Sequence, residues 1–172
     1  MARQHREVTR KRLELLTEDV AVRCGAITLA HDDWPCRAGC DDCCRSLASV
    51  PELTAIEWEM LSAALERLAE SEQQSIAAAM TERRGRGATR PIACPLLDDA
   101  RGTCRVYDAR PVACRTYGFY ADRDGVLGCA RIEARARFPE GADVVWGNHA
   151  AALARVADLG DARSLLDWYF SR

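Results

Sequence analysis

The residues best suited to chemistry in this sequence are four cysteines within nine positions, Cys36, Cys40, Cys43 and Cys44. On a helix of about 100° per residue their side chains lie within about 100° of one another, so the four sulfurs would share one face. If Gly39 instead opens a loop, the short spacing still lets the thiolates meet. Thiolates this close repel one another, and a bound metal cation removes the repulsion. The spacing therefore predicts a metal site.

Four further cysteines follow in the second half of the chain. They lie on segments that are predicted to be hairpins and turns, which are structures that bring distant thiolates to one zinc ion. Four-cysteine sites suit both tetrahedral zinc and iron–sulfur clusters, so the ligand type leaves the metal open. The predicted metal ligands are Cys36, Cys40, Cys43, Cys44, Cys94, Cys104, Cys114 and Cys129.

The ninth cysteine, Cys24, stands apart from the other eight. It continues the apolar stripe of a predicted N-terminal helix over residues 6–22, and we interpret it as a small buried side chain and not as a ligand. Four arginines each follow a predicted ligand directly, and their charge could offset that of a thiolate site. They are Arg37, Arg45, Arg105 and Arg115.

The elements that must position the cysteines are predicted to be mostly helical. A helix begins at Thr54, where Glu57 can complete a capping box, and helical periodicity continues to residue 84 with a break near residue 71. The run from Arg83 to Gly87 is predicted to be a loop, because two glycines disfavour a helix. The remaining predicted elements are hairpins over 94–107 and 116–129, a helical turn at Cys114 between them, and two closing helices after residue 142.

The predicted fold class is mainly α with small β-hairpins, a compact cysteine-rich metal-binding domain with flanking helices. Its 172 residues, 48% of them hydrophobic and 29% charged, suit one folded domain over residues 1–172. Within it the metal-binding cysteine region spans residues 34–130, with the helical segment 54–84 inside. A chain of this length is too short for a large catalytic barrel.

Composition also limits the partners and the compartment. No window approaches the ~20 apolar residues that cross a bilayer, so we expect no membrane partner. The net charge of −2 gives no basic field, and nucleic acid is not expected. The charged N-terminal segment lacks the apolar stretch of a secretion signal, which predicts a cytoplasmic protein. Thiols stay reduced there, which favours metal binding over disulfides. A protein partner is open.

The ordered motifs resemble those of the YkgJ-type cysteine-cluster family, to which zinc or iron chelation is ascribed. The resemblance covers residues 36–129 and implies that the eight predicted ligands form a metal site holding zinc or iron. A similar cysteine region occurs in bacterial flagellin lysine methylases, which are longer. The motifs are Cys-x3-Cys-x2-Cys-Cys, Cys94-Pro95-Leu96, Cys104-x-x-Tyr107 and Arg110-Pro111-x-x-Cys114-Arg115.

Two functions are consistent with these residues. The first is a cysteine-ligated metal-binding protein, with zinc or an iron–sulfur cluster, whose biological process the sequence does not give. The alternative is an iron–sulfur enzyme or a cofactor-bearing subunit, because Cys36-x3-Cys40-x2-Cys43 also has the spacing with which radical S-adenosylmethionine enzymes hold a cluster. No residues suggest a substrate pocket or an acid–base pair. The sequence therefore predicts metal binding and leaves enzymatic activity undecided.

Overall fold

The computed structural model describes residues 2–87, 89–137 and 143–171. Helices dominate these residues, and the strands form three short pairs, so the fold class predicted from the sequence is confirmed. The chain divides into two compact units, each built from separate stretches of sequence. Unit 1 contains Met1–Arg37 and Val112–Asp161, and unit 2 contains Ala38–Pro111 and Ala162–Arg172. The single domain over residues 1–172 stays a prediction.

Unit 1 is organised around one long helix. This helix extends well past the predicted bounds of 6–22, because its apolar stripe continues to Ile27. The stripe is buried, and the helix contacts two of the unit's other helices, α5 (Val112–Thr116) and α7 (His149–Ala157). In chain order the elements are α1 (Ala2–Ala30), α5 (Val112–Thr116), β4 (Tyr120–Ala121), α6 (Ala130–Arg137), β5 (Gly147–Asn148) and α7 (His149–Ala157).

The hairpin predicted over residues 116–129 is only partly formed. A tight turn closes it, since the Asp122 N–H donates to the Gly125 carbonyl at 2.9 Å and the Leu127 N–H donates to the Tyr120 carbonyl at 2.8 Å. Strand β4, however, pairs in parallel with β5, which lies far along the chain. Local turn signals predicted the turn, whereas the parallel partner depends on tertiary packing.

Unit 2 contains the helical pair that the periodicity predicts and both of its antiparallel strand pairs, β1 with β6 and β2 with β3. No helix in residues 2–87, 89–137 and 143–171 has the length and apolar character needed to cross a membrane. In chain order the unit's elements are α2 (Asp42–Arg45), β1 (Glu52–Thr54), α3 (Ala55–Glu66), α4 (Glu70–Arg86), β2 (Leu97–Asp98), β3 (Thr103–Cys104), a 3-10 turn (Tyr107–Ala109), β6 (Ala162–Ser164) and α8 (Leu165–Phe170).

Helix α3 begins where the sequence predicts. The Thr54 N–H and the Thr54 hydroxyl both donate to one carboxylate oxygen of Glu57, each at 2.9 Å. Both residues are buried, so the capping box satisfies a buried donor that would otherwise destabilise the helix end. The predicted break near residue 71 falls slightly earlier, between the end of α3 at Glu66 and the start of α4 at Glu70.

The loop predicted from Arg83 to Gly87 is wrong, because α4 continues to Arg86. The Arg83 side chain is buried, and its guanidinium donates to the Gly87 carbonyl and, at 3.3 Å, to the Thr89 carbonyl. The sequence analysis places this arginine in a loop. Instead its guanidinium binds two carbonyls that follow the C-terminal end of α4.

A single hydrophobic core holds unit 2 together, and the first cysteine hairpin packs into it through Leu96 and Val106. The rings of Trp58 and Trp168 stack with centroids 6.4 Å apart. The sulfur-bearing side chains of Cys94 and Cys104 pack against this core. This hairpin therefore packs on the helical pair of unit 2. The buried core residues are Leu53, Trp58, Leu61, Leu65, Ile76, Met80, Leu96, Val106 and Leu165.

Candidate metal centre

The dense cysteine motif forms a turn followed by a single helical turn. Gly39 has a φ of +87°, a conformation that glycine adopts without a Cβ penalty, and α2 begins after it at Asp42. The loop alternative is therefore correct and the continuous helix over the four cysteines is wrong. Cys43 and Cys44 are adjacent on α2 and half-buried, with their sulfurs 3.9 Å apart.

Backbone hydrogen bonds bring Cys94 beside this short helix. The Cys94 N–H donates to the Cys44 carbonyl at 2.7 Å, and the Leu47 N–H donates to the Ile92 carbonyl at 2.9 Å. Two segments far apart in sequence are thus joined through their main chains, so the proximity of Cys44 and Cys94 does not depend on side-chain contacts alone.

Cys104 completes a group of four neighbouring thiols. It lies on β3, opposite Leu97 of β2, and the antiparallel pair places it close enough to Cys43 and Cys44 for their charges to interact. We call Cys43, Cys44, Cys94 and Cys104 the four-thiol cluster. All four residues belong to unit 2 and all are half-buried. Cys40 is also half-buried and in the same unit, and Asp41 separates it from the start of α2.

Burial and mutual proximity raise the pKa values of three thiols of the cluster, those of Cys43, Cys44 and Cys104. The hydrogen bond to Cys44, followed by burial, raises the pKa of the Cys43 thiol. For Cys44 the hydrogen bond from Cys43 lowers the pKa, but the hydrogen bond with Cys94 and burial outweigh it and raise the pKa to about 12. Burial raises the pKa of Cys104 as well. A cation that binds here must therefore displace protons.

The cation that opposes these shifts is Arg110, which sequence reasoning did not single out for this role. Its positive charge lowers the pKa of both Cys43 and Cys104. The guanidinium carbon lies 3.5 Å from the centre of the Tyr107 ring, and the Nε–H donates to the Tyr107 carbonyl at 3.0 Å. Tyr107 thus orients a positive charge toward the cluster. The motif Arg110-Pro111 was visible in the sequence, but its spatial relation to Cys43 was not.

Two of the four arginines expected to offset the thiolates, Arg45 and Arg105, bind carboxylates instead. Arg45 donates to Asp41 at 2.6 Å and to Asp99 at 2.8 Å. Arg105 lies 3.5 Å from Asp98 and 3.6 Å from a carboxylate of α4, that of Glu72. The other two, Arg37 and Arg115, belong to unit 1. Adjacency in sequence therefore did not identify the compensating charge of the four-thiol cluster.

Unit 1 holds Cys24 and three of the predicted ligands, Cys36, Cys114 and Cys129, all of them half-buried. The Cys24 sulfur lies 3.5 Å from the Arg115 carbonyl, and the Cys36 sulfur lies 3.6 Å from the Tyr117 carbonyl. Cys114 lies on α5, and Cys129 directly precedes α6. The participation of Cys36, Cys114 and Cys129 in a metal site, alone or with unit 2, stays a prediction.

Cys36 makes one close approach that depends on a glycine. A Cβ added at Gly118 would lie 2.8 Å from the Cys36 sulfur, and Gly118 also has a φ of +87°. Both the space and the backbone conformation therefore require glycine at this position. The sequence alone indicates only that Gly118 can end a helix. The close approach of the Cys36 sulfur, which requires glycine here, is visible only in the tertiary structure.

The donor set of the four-thiol cluster fits a thiophilic metal, while the side chains are not yet arranged around one. Among residues 2–87, 89–137 and 143–171, no three His, Cys, Asp or Glu side chains could hold a metal ion as they stand. The 3.9 Å between the sulfurs of Cys43 and Cys44 nevertheless matches the ~3.8 Å expected between two sulfurs on one tetrahedral zinc with ~2.3 Å bonds. Binding would require the thiols to turn toward a common point.

Comparison with known proteins gives one match. The family model CxxCxxCC, described as a "putative zinc- or iron-chelating domain", matches residues 35–137. The matched segment contains all eight predicted ligands and excludes Cys24. Searches of curated proteins and of solved structures gave no match.

Proposed function

Because the chain belongs to the CxxCxxCC family of zinc- or iron-chelating domains, we propose that it binds a metal ion through the four-thiol cluster of unit 2. The observation that carries this proposal is the adjacency of Cys43, Cys44, Cys94 and Cys104, which come from three separate chain segments. Half-buried thiols of this density, with a cation beside them, are ligands that soft metals prefer. Metal chelation is the family's property, and the choice of these four ligands is our proposal.

Zinc is the metal that we propose for this cluster. Two sulfurs 3.9 Å apart suit two corners of one tetrahedron of ligands around a single ion. In a [4Fe–4S] cluster each thiolate binds a different iron, which places the sulfurs farther apart, so this spacing disfavours that cluster. Four thiolates leave zinc without an open coordination position, so the ion would have a structural role. Arg110 would offset part of the negative charge of such a centre.

The other predicted ligands can serve a wider site. Cys36, Cys40, Cys114 and Cys129 complete the eight cysteines of the matched segment, and we propose them as further metal ligands. Nine cysteines in a chain of 172 residues are typical of metal binding or redox chemistry in a reducing compartment, which supports the cytoplasm as the proposed location.

Elemental analysis of the full chain, purified under reducing and anaerobic conditions, tests the proposal. We expect a colourless protein with stoichiometric zinc, and loss of zinc when both Cys43 and Cys94 are replaced by serine. Cys24→Ser is the matched control and should retain the metal. A brown protein containing iron and acid-labile sulfide would support the iron–sulfur alternative, including an enzyme's cofactor-bearing unit. Metal-free wild-type protein that does not take up zinc or iron would refute metal binding.

A further inference from the structure

Helix α1 carries an exposed apolar stripe in addition to its buried one. Val8, Leu15, Val22 and Leu29 are 47%, 47%, 69% and 86% exposed. They recur every seven residues, so they form one line along the helix that drifts by only about 20° per heptad. On a helical wheel this line lies roughly 140° from the centre of the stripe that is buried within unit 1. The exposed stripe is thus a second face of the helix.

The residues between the exposed apolar positions follow an ordered pattern of charge. Lys11 and Arg12 lie between the first two apolar residues, Glu18 and Asp19 lie between the next two, and the small residues at 25 and 26 lie between the last two. All of these side chains are exposed. The face is therefore basic near its N-terminal end, acidic in its middle and flat near its C-terminal end.

We propose that this face of α1 pairs with the same face of a second copy of the chain, in antiparallel orientation about a twofold axis at Leu15. In this register the residue numbers of opposing apolar positions add up to 30. Leu15 then packs on Leu15 of the second copy, and Val8 packs on Val22. Charged residues on the same side of the seam face one another, so Lys11 faces Glu18 of the second copy and Arg12 faces Asp19, which also pairs with Arg155 of its own chain at 2.7 Å. Three of the four apolar positions of the stripe therefore meet an apolar one, and each of these basic residues meets an acidic one.

Other arrangements of the same two helices lose this match. A parallel, in-register pair places the basic residues of one copy on those of the other, and the acidic residues likewise. An antiparallel pair shifted by one heptad, centred between residues 18 and 19, brings Glu18 and Asp19 against themselves. The register centred on Leu15 is also isologous, so it closes as a dimer and does not propagate into a filament. The small residues Gly25 and Ala26 then meet the polar N-terminal turn near Gln4.

The small angular drift of the exposed stripe around α1 also suits the pairing of two such helices. A line that repeats every seven residues on an ordinary α-helix follows a gentle left-handed path, which two helices accommodate by a left-handed crossing of about 20°. Only three apolar layers form, and the outer ones are valines. The dimer should therefore be reversible over a practical concentration range and sensitive to salt, because its register depends on exposed charges.

Sedimentation of the full chain over a concentration series provides the first test. The protein should shift from the 19.0 kDa monomer toward twice that mass as concentration rises. Leu15→Glu should keep it monomeric throughout, because two glutamates would meet at the axis. Ala21→Glu, which places the same charge on another exposed part of α1, should dimerise as wild type does. A wild-type monomer at all concentrations, or a dimer unaffected by Leu15→Glu, would overturn the proposal.

Charge exchange tests the register. Lys11→Glu and Glu18→Lys should each weaken the dimer, since each places like charges opposite one another, whereas the double variant should restore it. A photo-crosslinking amino acid at Val8 should react with residues near Val22 of the other copy. Crosslinks to residues near Val8 itself would show a parallel pair and refute the antiparallel register. Metal content should be unchanged in all these variants, which separates failure of this proposal from failure of the proposed metal centre.

Discussion

Replacing Cys44 by serine should weaken zinc binding without unfolding unit 2. The Cys44 thiol interacts with those of Cys43, Cys94 and Cys104, so it is the most connected donor of the cluster. A structural zinc site contributes roughly 12 kcal/mol, or about 3 kcal/mol for each of four ligands, and a tenfold change in affinity corresponds to about 1.4 kcal/mol. We therefore expect the zinc affinity to fall by about two orders of magnitude.

The fold should tolerate this change because the main-chain link remains. The carbonyl of Cys44, and not its side chain, accepts the 2.7 Å hydrogen bond from the Cys94 N–H. Serine can also keep a hydrogen bond to the neighbouring thiols. The helix content measured by circular dichroism should therefore match that of the wild-type protein.

Competition against a chromophoric zinc chelator, on the reduced full chain at neutral pH, measures the affinity. Cys24→Ser is the control, because its sulfur contacts the Arg115 carbonyl in unit 1 and has no proposed ligand role. The reasoning is refuted if Cys44→Ser binds zinc as tightly as the wild type, or if both variants lose affinity equally. The first result would remove Cys44 from the site, and the second would make the effect a general one.

Three further predictions follow from the same structure. Arg110→Gln should lower zinc affinity by about 10- to 100-fold in the same competition assay, which is the usual effect of losing a residue that supports metal ligands. Arg45→Gln is the control and should have little effect, because carboxylates already bind Arg45. The raised thiol pKa values require proton release on binding, so affinity should fall as pH falls, by about tenfold per pH unit for each proton displaced, which titrations at several pH values measure. Leu61→Ala should destabilise unit 2 by about 2–5 kcal/mol in denaturant titrations, because Leu61 is completely buried.

Local signals accounted for most of the helices in unit 2. The capping box of Thr54 and Glu57 forms as its spacing indicates, because both partners lie within one turn. The first cysteine hairpin is also a local structure, with its strands separated by a short polar turn. Interactions of this kind are set by neighbours in sequence, which is why spacing alone could predict them.

Long-range packing explains what the sequence did not reveal. Arg83 belongs to a glycine-containing run that reads as a loop, but burial of its guanidinium against carbonyls extends α4. Strand β4 finds its partner at residues 147–148, a pairing that no local pattern encodes. Helix α1 is longer than the sequence predicts for a related reason. Its C-terminal part packs within unit 1, where Ile27 is buried and the Cys24 sulfur contacts the Arg115 carbonyl.

The contrast between Arg45 and Arg110 explains why a ligand set is easier to predict than its supporting charges. Metal-binding cysteines can be recognised in a sequence by their residue type and spacing, whereas an arginine can pair with any nearby carboxylate. Arg45 follows Cys44 directly, but it binds the carboxylates of Asp41 and Asp99. The charge of Arg110, which directly follows the 3-10 turn after β3, lowers the pKa of the Cys43 and Cys104 thiols. Because raised pKa values oppose metal binding and Arg110 lowers two of them, the affinity of this centre depends on a residue outside its ligand set.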